Sequence, residues 1–167
     1  MMTSDIPAVK ILQDVLFPVK YTDAFYLELL EKTSVTVLAF QTVKGENGLE
    51  MKLVGIVTGR VSVVMGGCRR SIEGYIATLG VDPDFRRNGL GKFLLSFIFN
   101  LLSEEHACEF VHLHVKADNI AALDMYKKGG FTVAEFLSNH YYFDKAYHNA
   151  FRLIRYTKPQ TSICVIL

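Results

Sequence analysis

Residues 84–95 read DFRRNGLGKFLL and mark a junction between a strand and a helix. The segment before it, YIATLGV at residues 75–81, is apolar and partly β-branched, and DPDF at 82–85 is typical of a turn. After Gly91, apolar residues recur at positions 93, 94, 97, 98 and 101, which is helical spacing. The stretch therefore predicts a strand, a glycine loop and a helix in succession.

The glycine loop has the chemistry of an anion site. A helix start exposes unpaired N–H groups and the positive end of the helix dipole. Gly89 and Gly91 let a ligand approach the backbone, and Arg86 and Arg87 add positive charge. These features predict a pyrophosphate cradle without the motif of a P-loop or of a dinucleotide-binding fold. A plain helix cap with solvated arginines is the alternative.

Bulk composition indicates one globular domain in a reducing compartment. The chain has 167 residues, half of them hydrophobic, and a net charge of +1, which gives no reason to expect a nucleic-acid partner. Cys68, Cys108 and Cys164 are too far apart for a metal motif or a disulfide framework. The chain start lacks a signal-peptide layout, and the longest apolar stretch, 93–102, is too short to span a bilayer. We therefore expect a cytoplasmic protein without a metal.

The order of elements predicts an α/β fold. It is one mixed, mostly antiparallel sheet with a central parallel pair, strands 75–81 and 109–115, and helices on both faces. Helices are expected from Ser4 and from Thr22 or Asp23, separated by Pro18. The other expected elements are strands at 35–40 and 51–64, a turn at 44–48, a polar loop at 66–71, a helix at 119–128, and closing strands at 131–137 and 148–156.

Strand VHLHV at 111–115 carries a candidate base. Strand alternation places His112 and His114 on one face and the three apolar residues on the other. Histidine accepts a proton near neutral pH, although a histidine satisfied within the core is the alternative for each. A zinc site needs a third or fourth ligand, and none follows at a suitable spacing.

Several motifs together resemble a known family. Arg86-x-x-Gly89-x-Gly91 after a strand resembles the acetyl-CoA-binding signature of the Gcn5-related N-acetyltransferases, the GNAT superfamily. FPVKYTDAFY, YIATLGV, FRRNGLG, VHLHV, ADNIAALDMYKKGGF and HYYFDK follow in the order of the N-terminal protein acetyltransferases. The chain is most similar to the NatE and NatF types, N-alpha-acetyltransferases 50 and 60. YIATLGV and a longer loop before the closing FRLIRY strand look more like NatF. The resemblance implies a GNAT domain over residues 1–157 and a short tail over 158–167.

The resemblance implies acetyl-CoA as donor and protein N-terminal peptides as acceptors. Asn119 is implied to contact the CoA arm, and Tyr126 to lie near the thioester sulfur as a general acid. A helix cap and a packing tyrosine are the alternatives for these two. The implied donor-binding residues are Leu79, Gly80, Val81, Arg86, Arg87, Asn88, Gly89, Leu90, Gly91, Lys92, Asn119 and Tyr126.

Tyr75 and His114 are implied to act together as the base. They would remove a proton from the amine through ordered water, and the amine would attack the thioester directly. An α-amine has a pKa near 7.7–8.0, against about 10.4 for lysine, so only modest help is needed. Cys108 and Cys68 lack a matching base, so no covalent enzyme intermediate is expected.

Two aromatic segments are implied to hold the peptide. The loop takes the first side chain, usually methionine, and the tyrosines hold the peptide backbone, so a Met followed by a residue other than the smallest fits. Ordinary aromatic packing is the alternative for either segment. The implied acceptor residues are Phe17, Pro18, Val19, Tyr21, Tyr75, His114, Tyr141 and Tyr142.

Two rival functions stay open. A lysine or small-amine acetyltransferase on the same fold predicts acidic groups at the amine slot, and FPVKY supplies none. A non-catalytic partner in a larger acetyltransferase complex, or association with a ribosome, is the second. Retention of Tyr75 and His114 speaks against a non-catalytic role.

The chain ends differ from the resembled family. Family members usually begin with a strand, which has no room before Ser4, and the NatF type carries a membrane-binding tail after the last strand. The final residues, CVIL at 164–167, instead match a prenylation signal on Cys164, with a chance apolar ending as the alternative. We expect reversible attachment to the cytosolic face of internal membranes such as the Golgi.

Overall fold

The computed structural model describes residues 1–45, 48–66 and 69–158. The helices and strands follow one another as α1, α2, β1, β2, β3, α3, β4, α4, β5 and β6. Their bounds are α1 Ile6–Leu16, α2 Asp23–Glu28, β1 Ser34–Gly45, β2 Gly48–Gly66, β3 Arg69–Val81, α3 Leu90–Asn100, β4 Phe110–Lys116, α4 Ile120–Lys128, β5 Thr132–Phe143 and β6 Ala146–Tyr156.

The described strands form one six-stranded sheet in the order β1-β2-β3-β4-β6-β5. Neighbouring strands are antiparallel except for β3 and β4, which run parallel. The connection between β3 and β4 contains α3, because parallel neighbours need a long crossover. The predicted mixed sheet with one central parallel pair is confirmed.

Each face of the sheet is covered by helices. Along β2, Ile56 and Val57 are both fully buried but belong to different apolar clusters. The cluster of Ile56 contains side chains of α1 and α2, and that of Val57 contains side chains of α3 and α4. Because successive side chains of a strand point to opposite faces, these two clusters lie on the two faces of the sheet. The predicted helices on both faces are confirmed.

Two sequence expectations about element ends are wrong. Ser4 does not cap α1, because residues Thr3–Asp5 form a 3₁₀ turn and Asp5 is the N-cap residue. The loop expected before FRLIRY is a hairpin, in which β5 and β6 extend to a tight turn at Asp144 and Lys145, with φ of 50° and 59°. Positive φ at both central residues suits the twist of the flanking strands.

The two connections expected among the first three strands are shorter than predicted. Residues 69–71 of the expected polar loop belong to β3, and β1 and β2 extend to Gly45 and Gly48. Cys68 and the tail from residue 159 onward, with Cys164, lie outside the described residues. Within the described ranges, no helix combines the length and apolar character required to cross a membrane.

Candidate active site

The site begins where β3 and β4 separate. Their parallel pairing ends at Ile76 and Leu113, although β3 continues to Val81 and β4 to Lys116. At the same place the register of β3 with β2 shifts, and Ala77 is the extra residue. A bulge of this kind bends the strand that carries it. The strands therefore open into a wedge while β3 stays paired with β2.

The free edge of β3 presents backbone groups to the wedge. The Asp82 N–H donates to the Val54 carbonyl over 2.8 Å, so the backbone groups of Asp82 point toward β2. In an antiparallel ladder, the backbone groups of successive residues point alternately toward and away from the partner strand. By that alternation, Leu79 and Val81 direct their N–H and C=O groups away from β2. The Val81 carbonyl accepts from Arg86 Nε at 2.9 Å, so Arg86 braces the glycine loop against β3. Leu79 and Val81 thus have backbone groups directed away from β2, and their contact with the donor arm stays a prediction.

Gly89 is the N-cap of α3, in the left-handed region with φ of 83°. Within the part of the chain that the structure describes, no heavy atom lies within 4 Å of the position that a Cβ would take, so the backbone faces open space. Gly91, by contrast, would place a Cβ 3.3 Å from Met125 Sδ on α4. Gly89 therefore allows a ligand to approach, and Gly91 allows α3 and α4 to pack closely. Arg86, Arg87, Asn88 and Lys92 are exposed around this loop, and Leu90 is partly buried.

The position that a side chain of Gly80 would take points toward the predicted peptide loop and away from the predicted donor site. A Cβ on Gly80 would lie 2.5 Å from Leu16 Cδ1 and 3.2 Å from Phe17 Cζ. Its missing side chain lets the end of α1 and the loop after it lie against β3. The expectation that Gly80 belongs with the donor-binding residues is therefore not supported by its position.

Tyr75 and His114 meet at the base of the wedge. The Tyr75 hydroxyl lies 3.3 Å from His114 Nδ1, and both side chains are partly buried. Burial, followed by charge repulsion from the protonated forms of His140, His112 and Arg152, lowers the pKa of His114 to about 4. Burial also raises the pKa of Tyr75. Near neutral pH both groups are therefore uncharged, and His114 is free to accept a proton.

Three further phenols surround Tyr75. Burial raises the pKa of Tyr21 and of Tyr126 to about 12, and it raises the pKa of Tyr141 as well. Charge repulsion from Tyr75 adds to each of these shifts, which places all three near it. They come from the loop after α1, from α4 and from β5. Residues predicted from separate motifs are thus brought together.

The loop after α1 is an aromatic stack. Tyr21 stacks on Phe25 with ring centroids 4.3 Å apart, and Phe17 meets Tyr21 edge to face at 6.0 Å. Pro18 and Val19 are exposed beside them. The loop can therefore offer an apolar surface beside Tyr75.

Tyr142 and Asn119 have positions that limit their predicted roles. Tyr142 is 63% exposed and packs against Tyr147 at 4.9 Å, whereas Tyr141 points to the opposite side. Tyr142 is thus separated from the predicted peptide site.

Asn119 caps α4, because its Oδ1 accepts from the Ala122 N–H at 3.2 Å, so the alternative that Asn119 is a helix cap is confirmed. Its contact with the CoA arm stays a prediction.

Sequence reasoning missed His140. Its ring centroid lies 4.5 Å from that of His114, and a register shift between Leu137 and Tyr141 in β5 sets its position. His140 stands directly before the two tyrosines in HYY, so the motif itself was the available signal. The bulge that turns it toward His114 has no signal in local sequence.

His112 is not a satisfied core histidine. Its side chain is mostly buried, and within the described residues neither ring nitrogen has a hydrogen-bond partner. Its Nε2 lies 3.5 Å from a carboxylate oxygen of Glu73, which itself accepts from Ser62 Oγ at 2.8 Å. Burial is the main cause that lowers the pKa of His112. It lies in contact with Tyr75, at 5.0 Å between ring centroids.

Neither a metal centre nor a thiol nucleophile is supported by these residues. Among residues 1–45, 48–66 and 69–158, no three His, Cys, Asp or Glu side chains are placed to hold a metal ion. Cys108 is buried, and burial raises the pKa of its thiol to about 11. The thiol therefore stays protonated and is a poor nucleophile near neutral pH.

Comparison with known proteins agrees with this geometry. Residues 8–131 match the model of the acetyltransferase (GNAT) family. N-alpha-acetyltransferase 50 of Danio rerio is 31% identical over 137 residues, which cover 82% of this chain and 74% of that protein.

Two solved structures from Arabidopsis thaliana are also similar. Naa50 in complex with the bisubstrate analogue CoA-Ac-MVNAL is 28% identical with a TM-score of 0.75, covering 93% of this chain and 94% of that one. NAA60 in complex with acetyl-CoA has the same fold, with a TM-score of 0.83 at 22% identity, covering 93% and 95%. The splayed parallel pair, the glycine loop at the start of α3 and these matches show that the chain belongs to the acetyltransferase (GNAT) family.

Proposed function

We propose that the protein transfers the acetyl group of acetyl-CoA to the α-amine of protein N-termini, with preference for Met followed by a residue other than the smallest. The observation that carries this proposal is the Tyr75–His114 pair, 3.3 Å apart at the base of the wedge. Tyr21 and Tyr141 lie beside it from two other elements.

Acetyl-CoA lies, in this proposal, in the wedge on the side of α3. The N–H groups at the start of α3 and the charges of Arg86 and Arg87 suit its diphosphate. The free backbone edge at Leu79 and Val81 suits the amide groups of its pantetheine arm. Open space at Gly89 fits this reading, because a side chain there would obstruct the ligand.

The Tyr75–His114 pair then receives one proton from the α-ammonium group through an ordered water. The neutral amine attacks the thioester carbonyl, the new C–N bond forms, and the C–S bond breaks. Tyr126, which is buried and protonated, then gives its proton to the departing thiolate, and the second proton of the nitrogen restores it. Each step uses a group that is uncharged before the reaction.

The weakness of the base favours an α-amine over lysine. A histidine whose pKa is about 4 draws a proton only weakly from an ammonium group. A minority of α-amines are already neutral near pH 7, whereas lysine is almost wholly protonated. The pair is therefore matched to the more acidic of the two ammonium groups.

The aromatic loop supports a methionine in the first position. Phe17 and Tyr21 offer apolar ring surface, and methionine packs well against aromatic rings. The Arabidopsis Naa50 structure contains the analogue CoA-Ac-MVNAL, whose peptide begins with Met. The 28% identity to that chain supports a similar acceptor here.

A peptide panel tests this function. Acetyl-CoA and the purified protein are incubated with free Met-Leu, Met-Lys, Ser and Ala N-termini, and with N-terminally blocked peptides that contain lysine. We expect the highest kcat/KM for the two Met peptides. Acetylation confined to the blocked lysine peptides would contradict the proposal.

We further propose that prenylation of Cys164 places the enzyme reversibly on the cytosolic face of internal membranes. Cys164 lies outside the described residues, so the CVIL pattern is the support for this step. Cys164→Ser is expected to release the protein from membranes without changing its peptide acetylation. Intact mass of the cellular protein without an isoprenoid on Cys164 would contradict it.

A further inference from the structure

His114 lies between two different environments. On one side its Nδ1 faces the Tyr75 hydroxyl at 3.3 Å. On the other its ring lies against the ring of His140, with centroids 4.5 Å apart and planes tilted by 38°. His114 is partly buried and His140 is exposed. An imidazole in contact with water thus adjoins the buried base.

The backbone of β5 fixes His140 in this position. The strand bulges between Leu137 and Tyr141, and Asn139 takes a positive φ of 54°. The Asn139 N–H donates to Asn149 Oδ1 on β6 at 3.0 Å. The His140 ring also meets Tyr141 edge to face at 4.8 Å. The Tyr141 ring and an anchored bulge therefore hold it against His114.

Acetylation of an α-ammonium group releases one proton to solvent. The nitrogen begins with three hydrogens and the product amide keeps one. One of the two lost protons goes to the sulfur of CoA, and the other remains on the base. This proton must leave before the next turnover.

We propose that His140 takes this proton from His114 and passes it to solvent. An N–H bond on His114 breaks and one forms on His140, and the proton crosses through one bridging water because the two rings pack at a tilt of 38° instead of sharing a hydrogen bond. Bulk water then removes the proton from His140, so no other bond changes. This relay rests on the proposed function, because it serves the proton that α-amine acetylation produces.

The surroundings of His114 support a rapid transfer. The groups that face it are Tyr75 from β3, His112 from β4, His140 from β5 and Arg152 from β6. Burial and neighbouring positive charge lower the pKa of His114 to about 4, so a proton does not rest there. Among these four groups, Arg152 cannot accept a proton, Tyr75 and His112 are partly or mostly buried, and His140 is exposed.

The test compares His140→Phe with the wild-type protein. Phenylalanine keeps an aromatic ring against His114 and Tyr141 but cannot accept a proton. We expect kcat on a Met-Leu peptide to fall by about tenfold, less than the 10²–10⁴ typical of a direct base. KM for acetyl-CoA and the melting temperature stay unchanged. Added imidazole restores the rate of the variant and leaves the wild-type rate unaltered.

His148→Phe is the matched control. His148 is on the same hairpin, partly buried, and stacks on Phe143 with centroids 4.1 Å apart. We expect this variant to keep its kcat and to show no response to imidazole.

The outcomes separate the relay from the proposed function. An active wild-type protein with an unaltered His140→Phe variant would overturn the relay alone. A loss of rate that imidazole does not restore would also overturn it, because His140 would then only position its neighbours. A wild-type protein inactive on every peptide would overturn the proposed function and the relay with it.

Discussion

The two faces of β4 have opposite roles within one short strand. Val111, Leu113 and Val115 are at most 5% exposed and pack under α3 and α4. His112 and His114 alternate with them and face Tyr75 on the other side. The apolar face stabilises the fold by removing carbon from water. The polar face leaves two imidazoles partly dehydrated, which costs stability and keeps His114 unprotonated near neutral pH.

The largest effect is expected outside both faces, at the glycine loop. Gly89→Glu should abolish acetyl-CoA binding in calorimetry, because a carboxylate would face the diphosphate. The variant also strains the backbone, because Gly89 is a left-handed N-cap, with φ of 83°. A side chain there costs roughly 1–2 kcal/mol of stability.

Gly89→Ala is the control for that strain. Alanine has the same backbone cost without the charge, so its affinity for acetyl-CoA should stay measurable. Equal affinity in the Ala and Glu variants would contradict a diphosphate site at this loop.

The polar face should control turnover and not stability. Tyr75→Phe and His114→Ala are each expected to lower kcat by roughly 10²–10⁴ because they remove the proton acceptor or its partner. Acetyl-CoA affinity and melting temperature should change little. Wild-type turnover in both variants would show that the base lies elsewhere.

The apolar face should control stability and not turnover. Leu113→Ala is expected to lower the free energy of unfolding by about 2–5 kcal/mol, since Leu113 is 1% exposed and leaves a cavity. Denaturant titration measures this, and kcat per folded molecule should be nearly unchanged. Leu49→Ala, at a side chain 80% exposed in β2, is the control and should change stability by less than about 0.5 kcal/mol. Equal losses of unfolding free energy in Leu113→Ala and Leu49→Ala would contradict a stabilising role for the apolar face of β4.

The smallest effect is a pH dependence of stability that comes from the polar face. The folded state keeps His114 neutral down to a pKa of about 4, whereas the unfolded chain binds that proton below about 6.5. Stability is therefore retained above pH 6.5 and falls as pH drops toward 4. His112 acts in the same direction, because its pKa is also lowered.

His114→Gln should reduce this slope, as measured by urea unfolding at pH 7 and pH 4.5. The pKa of the Asp82 carboxyl is lowered from 3.8, so its contribution to stability is lost below the pH range of this measurement. An unchanged slope in the variant would mean that His114 titrates normally in the folded state.

The sequence predicted much of the fold because its signals are local. Alternation in VHLHV placed His112 and His114 on one face, and helical spacing after Gly91 placed α3. Turn chemistry was less reliable, since the extended β5–β6 hairpin depends on two residues with positive φ that sequence pattern did not reveal.

The motifs named most of the residues that the structure brings together around Tyr75, but not all of their neighbours. Tyr75, His114, Tyr126 and Tyr141 come from separate motifs and lie close together in the structure, while their roles stay predictions. Tyr142 shares the HYY motif and points away, because neighbouring strand residues face opposite sides.

The sequence by itself determined the types of residues available and their spacing along each element, because propensity and periodicity act over a few residues. Only the tertiary structure decided that β3 and β4 separate after Ile76 and Leu113, and that His140 meets His114. Both depend on bulges, at Ala77 and at residues 138–140, whose position is set by pairing with the adjacent strand, β2 or β6. Such pairing balances contacts across the whole sheet, so no local stretch of sequence specifies it.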